Sequence, residues 1–231
     1  MTRLAVFAFA LILIGCKEEQ PPQPKVQPPA PTIILKAEPV IAEPQPLPAS
    51  PAAPGVPREA LRYQRDLVGN ARAVWGLNAP VATFAGQVHQ ESTWKANARS
   101  RTGAAGLAQF MPRTSDWISG LYSDELGANE PLNPAWALRA LVRYDRYLYD
   151  RIGKWETDCD RVMFSLASYN GGLGWVNKRM AKSPRPGHYY TTAFINPGIA
   201  PSNQKENEEY AHRIVKRWQP LYLAWGLGVC T

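Results

Sequence analysis

The stretch that decides the fold covers residues 87–114 and reads QVHQESTWKANARSRTGAAGLAQFMPRT. It contains a carboxylate, Glu91, and, eighteen residues later, a side-chain amide, Gln109. In a helix Glu91 shares one face with Val88 and Phe84, because these residues lie three and seven positions before it. The spacing therefore predicts a helix whose apolar side carries the carboxylate.

A carboxylate on an apolar face is a candidate general acid. An ionised group turned toward the interior is costly to desolvate, so its pKa rises and it keeps its proton near neutral pH. The alternative is that Glu91 ends the helix and points to water, since Glu is seldom fully buried without a role or a partner.

The N-terminal residues indicate a processing signal. Arg3 precedes a short apolar run, and Leu13, Ile14 and Gly15 lead directly to Cys16. This order resembles the lipobox of bacterial lipoproteins, which implies a signal peptide over residues 1–15 and a lipid on Cys16. Lys17 stands where Asp commonly retains lipoproteins in the inner membrane. We therefore expect a protein of the cell envelope, anchored by lipid in the outer membrane and facing the periplasm.

Residues 17–57 hold 13 of the chain's 22 prolines. Proline at this density favours extended backbone of about 3.1 Å per residue, so the segment could span on the order of 100 Å. We interpret residues 16–57 as a lipidated cysteine followed by a disordered spacer. A proline motif that binds a partner domain is the alternative.

The chain from Arg58 onward is basic, with 22 Lys plus Arg against 15 Asp plus Glu. A basic surface attracts nucleic acid, anionic lipid or an acidic polymer, and net charge does not choose among them. No nucleic-acid-binding motif accompanies the charge, so we do not expect nucleic acid as a partner.

Helical periodicity predicts one domain over residues 58–231. A first helix is predicted over residues 58–75, and Asn78 with Pro80 marks the start of the helix that carries Glu91. The clearest helix starts at Asn133–Pro134 and stops at Gly153.

Two further helices, a loop and a hairpin are also predicted. Asp160 is a candidate cap for a helix that ends near residues 170–172, and a last helix is predicted over residues 206–218. Residues 183–203 are predicted to form a loop, and residues 100–110 a small hairpin.

Several short motifs in this order resemble those of soluble-type lytic transglycosylases. The motifs are Glu91-Ser92, Ser100, Gly103-Ala104-Ala105-Gly106-Leu107-Ala108-Gln109-Phe110-Met111-Pro112, Ser168-Tyr169-Asn170-Gly171-Gly172, and Glu206 with Tyr210. The resemblance implies a mainly α, lysozyme-like α+β fold with a small hairpin beside a groove for peptidoglycan glycan strands. Two positions depart from the family pattern: Ala108 where Met is common, and Asn207 where Thr is common.

The resemblance also implies a reaction. Glu91 would protonate the oxygen between N-acetylmuramic acid and N-acetylglucosamine, and then, as a carboxylate, take the proton from the C6 hydroxyl that closes a 1,6-anhydro ring. No cofactor and no metal are needed for this chemistry.

The matched positions imply supporting roles. Ser100 would hydrogen-bond near the acid, Gln109 would contact the acetamido group of the substrate, and Tyr169 with Asn170 would line the catalytic centre. Glu206 has two interpretations: a second acidic residue near the groove, or a buried structural carboxylate.

Other residue types give further expectations. Tyr189 and Tyr190 could stack on sugar rings, although aromatic residues in loops more often simply pack. The three histidines, His89, His188 and His212, show no ligand spacing, so no metal site is predicted.

The cysteines allow one pairing. With Cys16 committed to lipid, Cys159 and Cys230 remain in a protein that meets an oxidising periplasm, so they are predicted to form a disulfide.

Three functions fit these observations. The first is a peptidoglycan lytic transglycosylase, the second a muramidase of the goose-type kind that cleaves the same bond with water, and the third a peptidoglycan-binding lipoprotein without turnover. The sequence does not fix the oligomeric state, and we expect a monomer.

Overall fold

The structure is a computed structural model that describes residues 55–230. Its α-helices are α1 (Arg58–Leu61), α2 (Gln64–Trp75), α3 (Val81–Ser92), α4 (Pro112–Leu121), α5 (Ser123–Leu126), α6 (Pro134–Arg151), α7 (Asp158–Gly171), α8 (Leu173–Lys182), α9 (Tyr189–Thr192) and α10 (Pro201–Arg213). A π-helical turn (Ile214–Trp218) and a 3₁₀ helix (Gln219–Trp225) follow α10. The predicted mainly helical fold is confirmed.

The predicted small hairpin is present only as isolated pairings. Arg99 bridges Ala105, and Ala105 bridges Phe110, in antiparallel fashion. Within residues 55–230 no regular strand forms.

Helix α3 lies at the centre of the fold. Phe84 and Val88 are buried, as the predicted apolar face requires. Buried residues cover most of the rest of the helix as well, and α3 packs against α2, the π-helical turn and the 3₁₀ helix. A helix enclosed on several sides belongs to the core, so the carboxylate at its C-terminal end is carried by a core helix.

Two apolar clusters form the core of the part of the chain that the structure describes. One joins α2, α3, α6 and the 3₁₀ helix, and the other joins α7, α8, α9 and α10. Tyr169 of α7 packs against both. The residues near Tyr169 therefore lie at the junction of the two clusters.

The strongest start signal is confirmed at α6. Asn133 is the N-cap, and its side-chain oxygen accepts a hydrogen bond from the backbone N–H of Ala135 at 3.0 Å. Pro134 occupies the first turn, where its missing N–H costs nothing. Ile152 follows the last residue of the helix, one position before the predicted stop.

Other boundaries differ from the prediction. The first helix is interrupted after Leu61, and α3 begins directly after Pro80, the second of the two residues predicted to mark its start. Helix α10 begins at Pro201, five residues before the predicted start, because a proline is favoured in the first turn and the preceding loop ends there.

The cap of α7 is Thr157, not Asp160. The Thr157 hydroxyl accepts from the N–H of Asp160 at 3.1 Å, and the Asp160 carboxylate accepts from the N–H of Thr157 at 3.1 Å. This is a capping box, in which the acidic residue occupies the third helical position.

The packed domain begins before Arg58. Val56 is buried in the first apolar cluster, although the spacer was predicted to extend to Pro57. At the other end, the predicted disulfide between Cys159 and Cys230 is formed, and it joins the start of α7 to the C-terminal tail.

The signal peptide, Cys16 and most of the spacer lie outside the described residues. Among residues 55–230 no helix has the length and apolarity needed to cross a membrane.

Candidate active site

The chain reverses direction directly after α3. Thr93 and Trp94 both adopt left-handed backbone conformations, with φ values of 51° and 64°. Buried Trp94 anchors the reversal, because its indole N–H donates to the Tyr222 hydroxyl at 2.6 Å. Glu91 is thereby fixed at the exposed end of a buried helix.

A second reversal presents Gln109. Gly106 has a φ of 77°, and a Cβ atom at this position would lie 1.8 Å from the carbonyl oxygen of Pro131. Only glycine fits this close approach. Gln109 itself is left-handed, with a φ of 48°, which turns its side chain back toward residues 98–106.

Glu91 and Gln109 both line a polar cavity of about 400 Å³. All six residues predicted for catalysis and substrate binding line it: Glu91, Ser100, Gln109, Tyr169, Asn170 and Glu206. The sequence motifs, spread over more than a hundred positions, are thus brought together at one place.

Glu91 has the properties of a general acid. Burial raises its pKa from 4.5 to about 7; a hydrogen bond from Tyr210 opposes this shift, and the negative charge of Glu206 adds to it. A carboxyl group with a pKa near neutrality can both donate and accept a proton, so Glu91 is a candidate for either task.

Tyr210 belongs to the last motif quoted from the sequence, but no role in the site was predicted for it. Its hydroxyl donates a hydrogen bond to Glu91 across 119 positions of sequence, and it lines the same cavity. The signal available was its position one helical turn after Glu206, but helical spacing does not reveal a partner on a distant helix.

Ser100 lines the cavity but does not hydrogen-bond to Glu91 in the structure. Its hydroxyl accepts from the N–H of Ala104 at 2.9 Å and pairs with the Thr102 hydroxyl at 3.0 Å. Ser100 therefore supports the loop at the cavity wall.

Gln109 is held by its amide nitrogen. The NH₂ group donates to the carbonyl oxygens of Ala98 at 3.2 Å and Gly106 at 2.9 Å. Both hydrogens are used, so the side-chain oxygen is the group left to accept a hydrogen bond from a ligand.

Tyr169 and Asn170 connect the cavity to two other helices. Tyr169 donates to the carbonyl oxygen of Ala108 at 2.7 Å. This hydrogen bond fixes residues 103–111, the motif loop, against α7. The Asn170 amide lies 3.4 Å from the Glu206 carboxylate and accepts from the amide of Asn207 at 3.0 Å.

Glu206 is exposed, so the buried structural interpretation is wrong. Its carboxylate faces the cavity from α10 and acts on the charge state of Glu91.

Smaller cavities adjoin the Glu91 cavity on two sides. One of about 180 Å³ shares Asn170 and Glu206 with it, and one of about 330 Å³ shares Thr114 and Tyr144. Because the shared residues differ, the two smaller cavities adjoin the central one at different places.

A further cavity of about 740 Å³ lies elsewhere, against another face of α10, and contains none of the six predicted residues. Tyr190 lines this cavity and not the one around Glu91. Tyr189 is buried and packs on Phe164, so it offers no ring to a ligand.

His89 serves the core. Its ring stacks on Trp218 with centroids 4.1 Å apart, and its Nδ1 lies 2.7 Å from the Tyr222 hydroxyl. Burial and the nearby charge of Arg217 lower its pKa. Within the described part of the chain no group of three or more His, Cys, Asp or Glu side chains is placed to hold a metal ion.

Comparison with known proteins places these features in a family. The family model of the transglycosylase SLT domain matches residues 72–190, just over half of the 231-residue chain. The chain belongs to this family. The SLT match includes α3, the motif loop and Tyr169, whereas Glu206 and Tyr210 lie beyond its end.

Curated relatives share this segment. A membrane-bound lytic murein transglycosylase F of Marinobacter nauticus is 32% identical over 127 residues, which cover 53% of this chain and 22% of the relative. A soluble lytic murein transglycosylase of Salmonella typhimurium is 31% identical over 108 residues, covering 46% of this chain and 16% of the relative. This SLT protein thus spans less than a quarter of the length of either relative.

Solved structures agree on the fold. The 70 kDa soluble lytic transglycosylase of Escherichia coli superposes with a TM-score of 0.54 and 23% identity, covering 71% of this chain and 25% of that one. An inactive mutant of the lytic transglycosylase Slt of Pseudomonas aeruginosa gives a TM-score of 0.56 and 19% identity, with 72% and 25% covered.

Proposed function

We propose that this SLT protein is a peptidoglycan lytic transglycosylase that cleaves the β-1,4 bond between N-acetylmuramic acid and N-acetylglucosamine and leaves 1,6-anhydro ends. The observation that carries the proposal is a carboxyl group with a pKa of about 7 inside the polar cavity that the predicted motif residues line.

The first step uses Glu91 as an acid. Its proton passes to the bridging oxygen, the bond from the anomeric carbon to that oxygen breaks, and positive charge develops on the muramic acid ring. The acetamido oxygen of the substrate stabilises this charge. Gln109 supports the arrangement, because its free side-chain oxygen can accept a hydrogen bond from the acetamido N–H.

The second step uses Glu91 as a base. The carboxylate takes the proton of the C6 hydroxyl while the C6 oxygen bonds to the anomeric carbon, which closes the anhydro ring and restores protonated Glu91. Tyr210 supports this step, because its O–H donates to the carboxylate and favours the ionised form.

The cavities around Glu91 support a polymeric substrate. Cavities adjoin the Glu91 cavity through Thr114 and Tyr144 on one side and through Asn170 and Glu206 on another. A glycan strand can occupy several of these cavities, with the bond to be broken beside Glu91.

We place the protein in the cell envelope, anchored through Cys16. The disulfide of the folded domain supports an oxidising compartment. A variant in which a signal peptide without a lipobox replaces residues 1–16 should leave the membrane fraction of the cell while the purified protein stays active, whereas persistent membrane fractionation would argue against the lipid anchor.

Product analysis tests the reaction. Purified sacculi are digested and the soluble products analysed by mass spectrometry, with a known muramidase as a reference digest. We expect products that carry 1,6-anhydro ends. Reducing ends would instead identify a muramidase, and binding to sacculi without any soluble product would identify a binding protein.

Replacing Glu91 with Gln tests the assignment of the acid. Gln keeps the volume and can still accept the Tyr210 hydrogen bond, but it has no proton to transfer, so turnover should fall by about 10³-fold or more while glycan binding survives. Glu59→Gln, on the exposed surface of α1, is the matched control for loss of a carboxylate.

Glu206→Gln separates the two carboxylates of the cavity. We expect a smaller loss of turnover than for Glu91→Gln, because no obligatory proton passes through Glu206. An inactive Glu206→Gln beside a Glu91→Gln that keeps more than roughly a tenth of the activity would reverse the assignment.

A further inference from the structure

A second carboxylic acid lies beneath the cavity and takes no part in the proposed reaction. Asp145, on α6, is only 2% exposed, and Gln87, on α3, is fully buried. The Gln87 amide nitrogen donates to Asp145 Oδ1 at 3.3 Å. Gln87 lies one helical turn before Glu91, so this contact sits under the candidate acid.

Each member of this pair has one atom without a partner among residues 55–230. Gln87 Oε1 and Asp145 Oδ2 are both buried, and neither receives a hydrogen bond from the described residues. Both are acceptors when Asp145 is ionised, and two buried acceptors left unpaired are costly. A single proton on Asp145 Oδ2 gives both unpaired atoms a partner. The resulting O–H can donate to Gln87 Oε1, while the amide N–H donates to Oδ1.

The surroundings of Asp145 favour the proton. Among the described residues, the titratable groups whose charge acts on Asp145, or responds to it, are Glu91 of α3, Tyr144 of its own helix, Tyr169 of α7 and Tyr210 of α10. All four are acids, and none can supply a compensating positive charge. Burial, as the largest cause, raises the pKa of Asp145 well above its usual range; the Gln87 hydrogen bond opposes the shift and the Glu91 charge adds to it.

We propose that Asp145 is a neutral carboxylic acid that donates its proton to Gln87 Oε1, and that this acid–amide pair positions α3 under Glu91 without placing a second negative charge beside it. The catalytic meaning of the pair rests on the proposed function, whereas its protonation state does not.

The neutral state matters for the second half of the reaction. Once Glu91 has given up its proton, it must persist as a carboxylate until the C6 hydroxyl attacks. An ionised Asp145 would disfavour that carboxylate, because like charges in a poorly solvated interior repel strongly. A protonated Asp145 provides the packing and hydrogen bonds of a carboxyl group without that repulsion.

Asp145→Asn is the informative variant, because an Asn side chain has the shape and donor pattern of a protonated Asp. Its NH₂ group can donate to Gln87 Oε1 and its oxygen can accept from Gln87 Nε2. If Asp145 is neutral, the replacement exchanges one neutral group for another. The pH at which kcat/KM falls should then stay within about 0.3 unit of that of the parent protein.

The opposite outcome is equally clear. If Asp145 is ionised, Asp145→Asn removes a negative charge near Glu91, lowers the pKa of Glu91, and moves the pH profile downward by about 1 unit or more. That shift would overturn the proposal. Gln87→Met removes both amide atoms, Nε2 and Oε1, that are proposed to hydrogen-bond to Asp145. It should therefore lower Tm more than Asp145→Asn does.

Infrared spectroscopy tests the proton without any need for activity. In the Glu91→Gln protein at pH 7, we expect the carbonyl stretch of a protonated carboxylic acid, and we expect it to disappear in the Glu91→Gln/Asp145→Asn protein. If the double variant does not fold, titration of the band in the Glu91→Gln protein from pH 5 to 9 provides the same test. No such band at pH 7 would overturn the proposal even if anhydro products are found, and a band without anhydro products would leave the pair intact while the proposed function fails.

Discussion

At the scale of single residues, the burial that keeps a proton on Glu91 also makes the fold sensitive to pH. Burial raises the pKa of Glu91 from 4.5 to about 7. Between these values the folded state binds the proton more tightly than the unfolded state, so the free energy of unfolding falls as the pH rises through this window. Above pH 7 the full loss is about 3 kcal/mol.

Glu91→Gln removes this titration. Between pH 4 and pH 8 the titration of Glu91 should lower the free energy of unfolding of the parent protein by about 3 kcal/mol. The Glu91→Gln protein should lack this decrease. Denaturant unfolding at the two pH values measures the difference, and Glu59→Gln controls for general loss of charge. Parallel stability curves for the parent and Glu91→Gln would show that the pKa of Glu91 is not raised in the folded state.

Tyr210 stabilises the ionised form of Glu91, so Tyr210→Phe should affect both the rate and its pH dependence. Without the donated hydrogen bond the pKa of Glu91 rises, and the pH at which kcat/KM falls should move upward. Loss of a hydrogen bond to a charged group should also lower kcat by roughly 10- to 100-fold. Tyr190→Phe, outside the Glu91 cavity, is the matched control and should change neither quantity.

The difference between Glu91 and Tyr210 shows what sequence can predict about the site. Glu91 and Gln109 belong to motifs whose residues are close in sequence, and their helix and turn contexts are local. Tyr210 reaches Glu91 across 119 positions, and Gln87 reaches Asp145 across 58. Those contacts depend on how α10 and α6 pack, and periodicity along one helix carries no information about which distant helix lies opposite.

At the scale of helices, Asn207 joins three elements around the cavity. Its amide donates to the carbonyl oxygen of Ala167 on α7 at 2.8 Å and to Asn170 at 3.0 Å. Its oxygen accepts from the buried Arg179 of α8 at 2.5 Å. Burial lowers the pKa of Arg179, and its hydrogen bonds to Asn207 and Gln204 satisfy the guanidinium in the interior.

Asn207→Ala should loosen this junction. A buried cation loses one acceptor and Asn170 loses its donor, so we expect a loss of about 1–3 kcal/mol in the free energy of unfolding. Because Asn170 lines the cavity, KM for glycan fragments should rise more than kcat falls. Thermal unfolding and steady-state kinetics measure the two effects, with Ser202→Ala on the exposed side of α10 as control. Unchanged kinetics with a lowered Tm would restrict Asn207 to a structural role.

The helices were predictable where their signals are local. Asn133–Pro134 sets the start of α6, because a capping side chain and a proline at the first position act within a few residues. The C-terminal end of α10 was not predictable, because the periodic pattern continues through the π-helical turn that follows Arg213. Packing against the neighbouring helices also decides which residues of α10 face inward. It leaves Glu206 exposed to the cavity.

At the scale of the whole molecule, the Cys159–Cys230 disulfide ties the C-terminal tail to the start of α7. Its partners are separated by 71 positions, and closing a loop of this length in the unfolded chain corresponds to about 4 kcal/mol in the chain-entropy model. Reduction should therefore lower Tm by roughly 10 °C. Thermal unfolding with and without reductant measures this, and a protein with Ser at both positions should be insensitive to reductant. Equal Tm values for the oxidised and reduced protein would contradict the prediction.

The packed domain includes residues that precede Arg58. Val56 is buried in the first apolar cluster, and Gly55 lies beside Leu221, whose side chain would be 3.2 Å from an added Cβ. Burial of a valine side chain contributes about 1.5–3 kcal/mol. A chain that starts at Gly55 should therefore fold and cleave soluble glycan fragments, because every described residue that lines the Glu91 cavity follows it. A chain that starts at Arg58 should remain active but unfold at a Tm lower by roughly 3–9 °C. Equal Tm values for the two would show that Val56 adds nothing to the core, and an unfolded Gly55 chain would show that residues before position 55 pack on the domain.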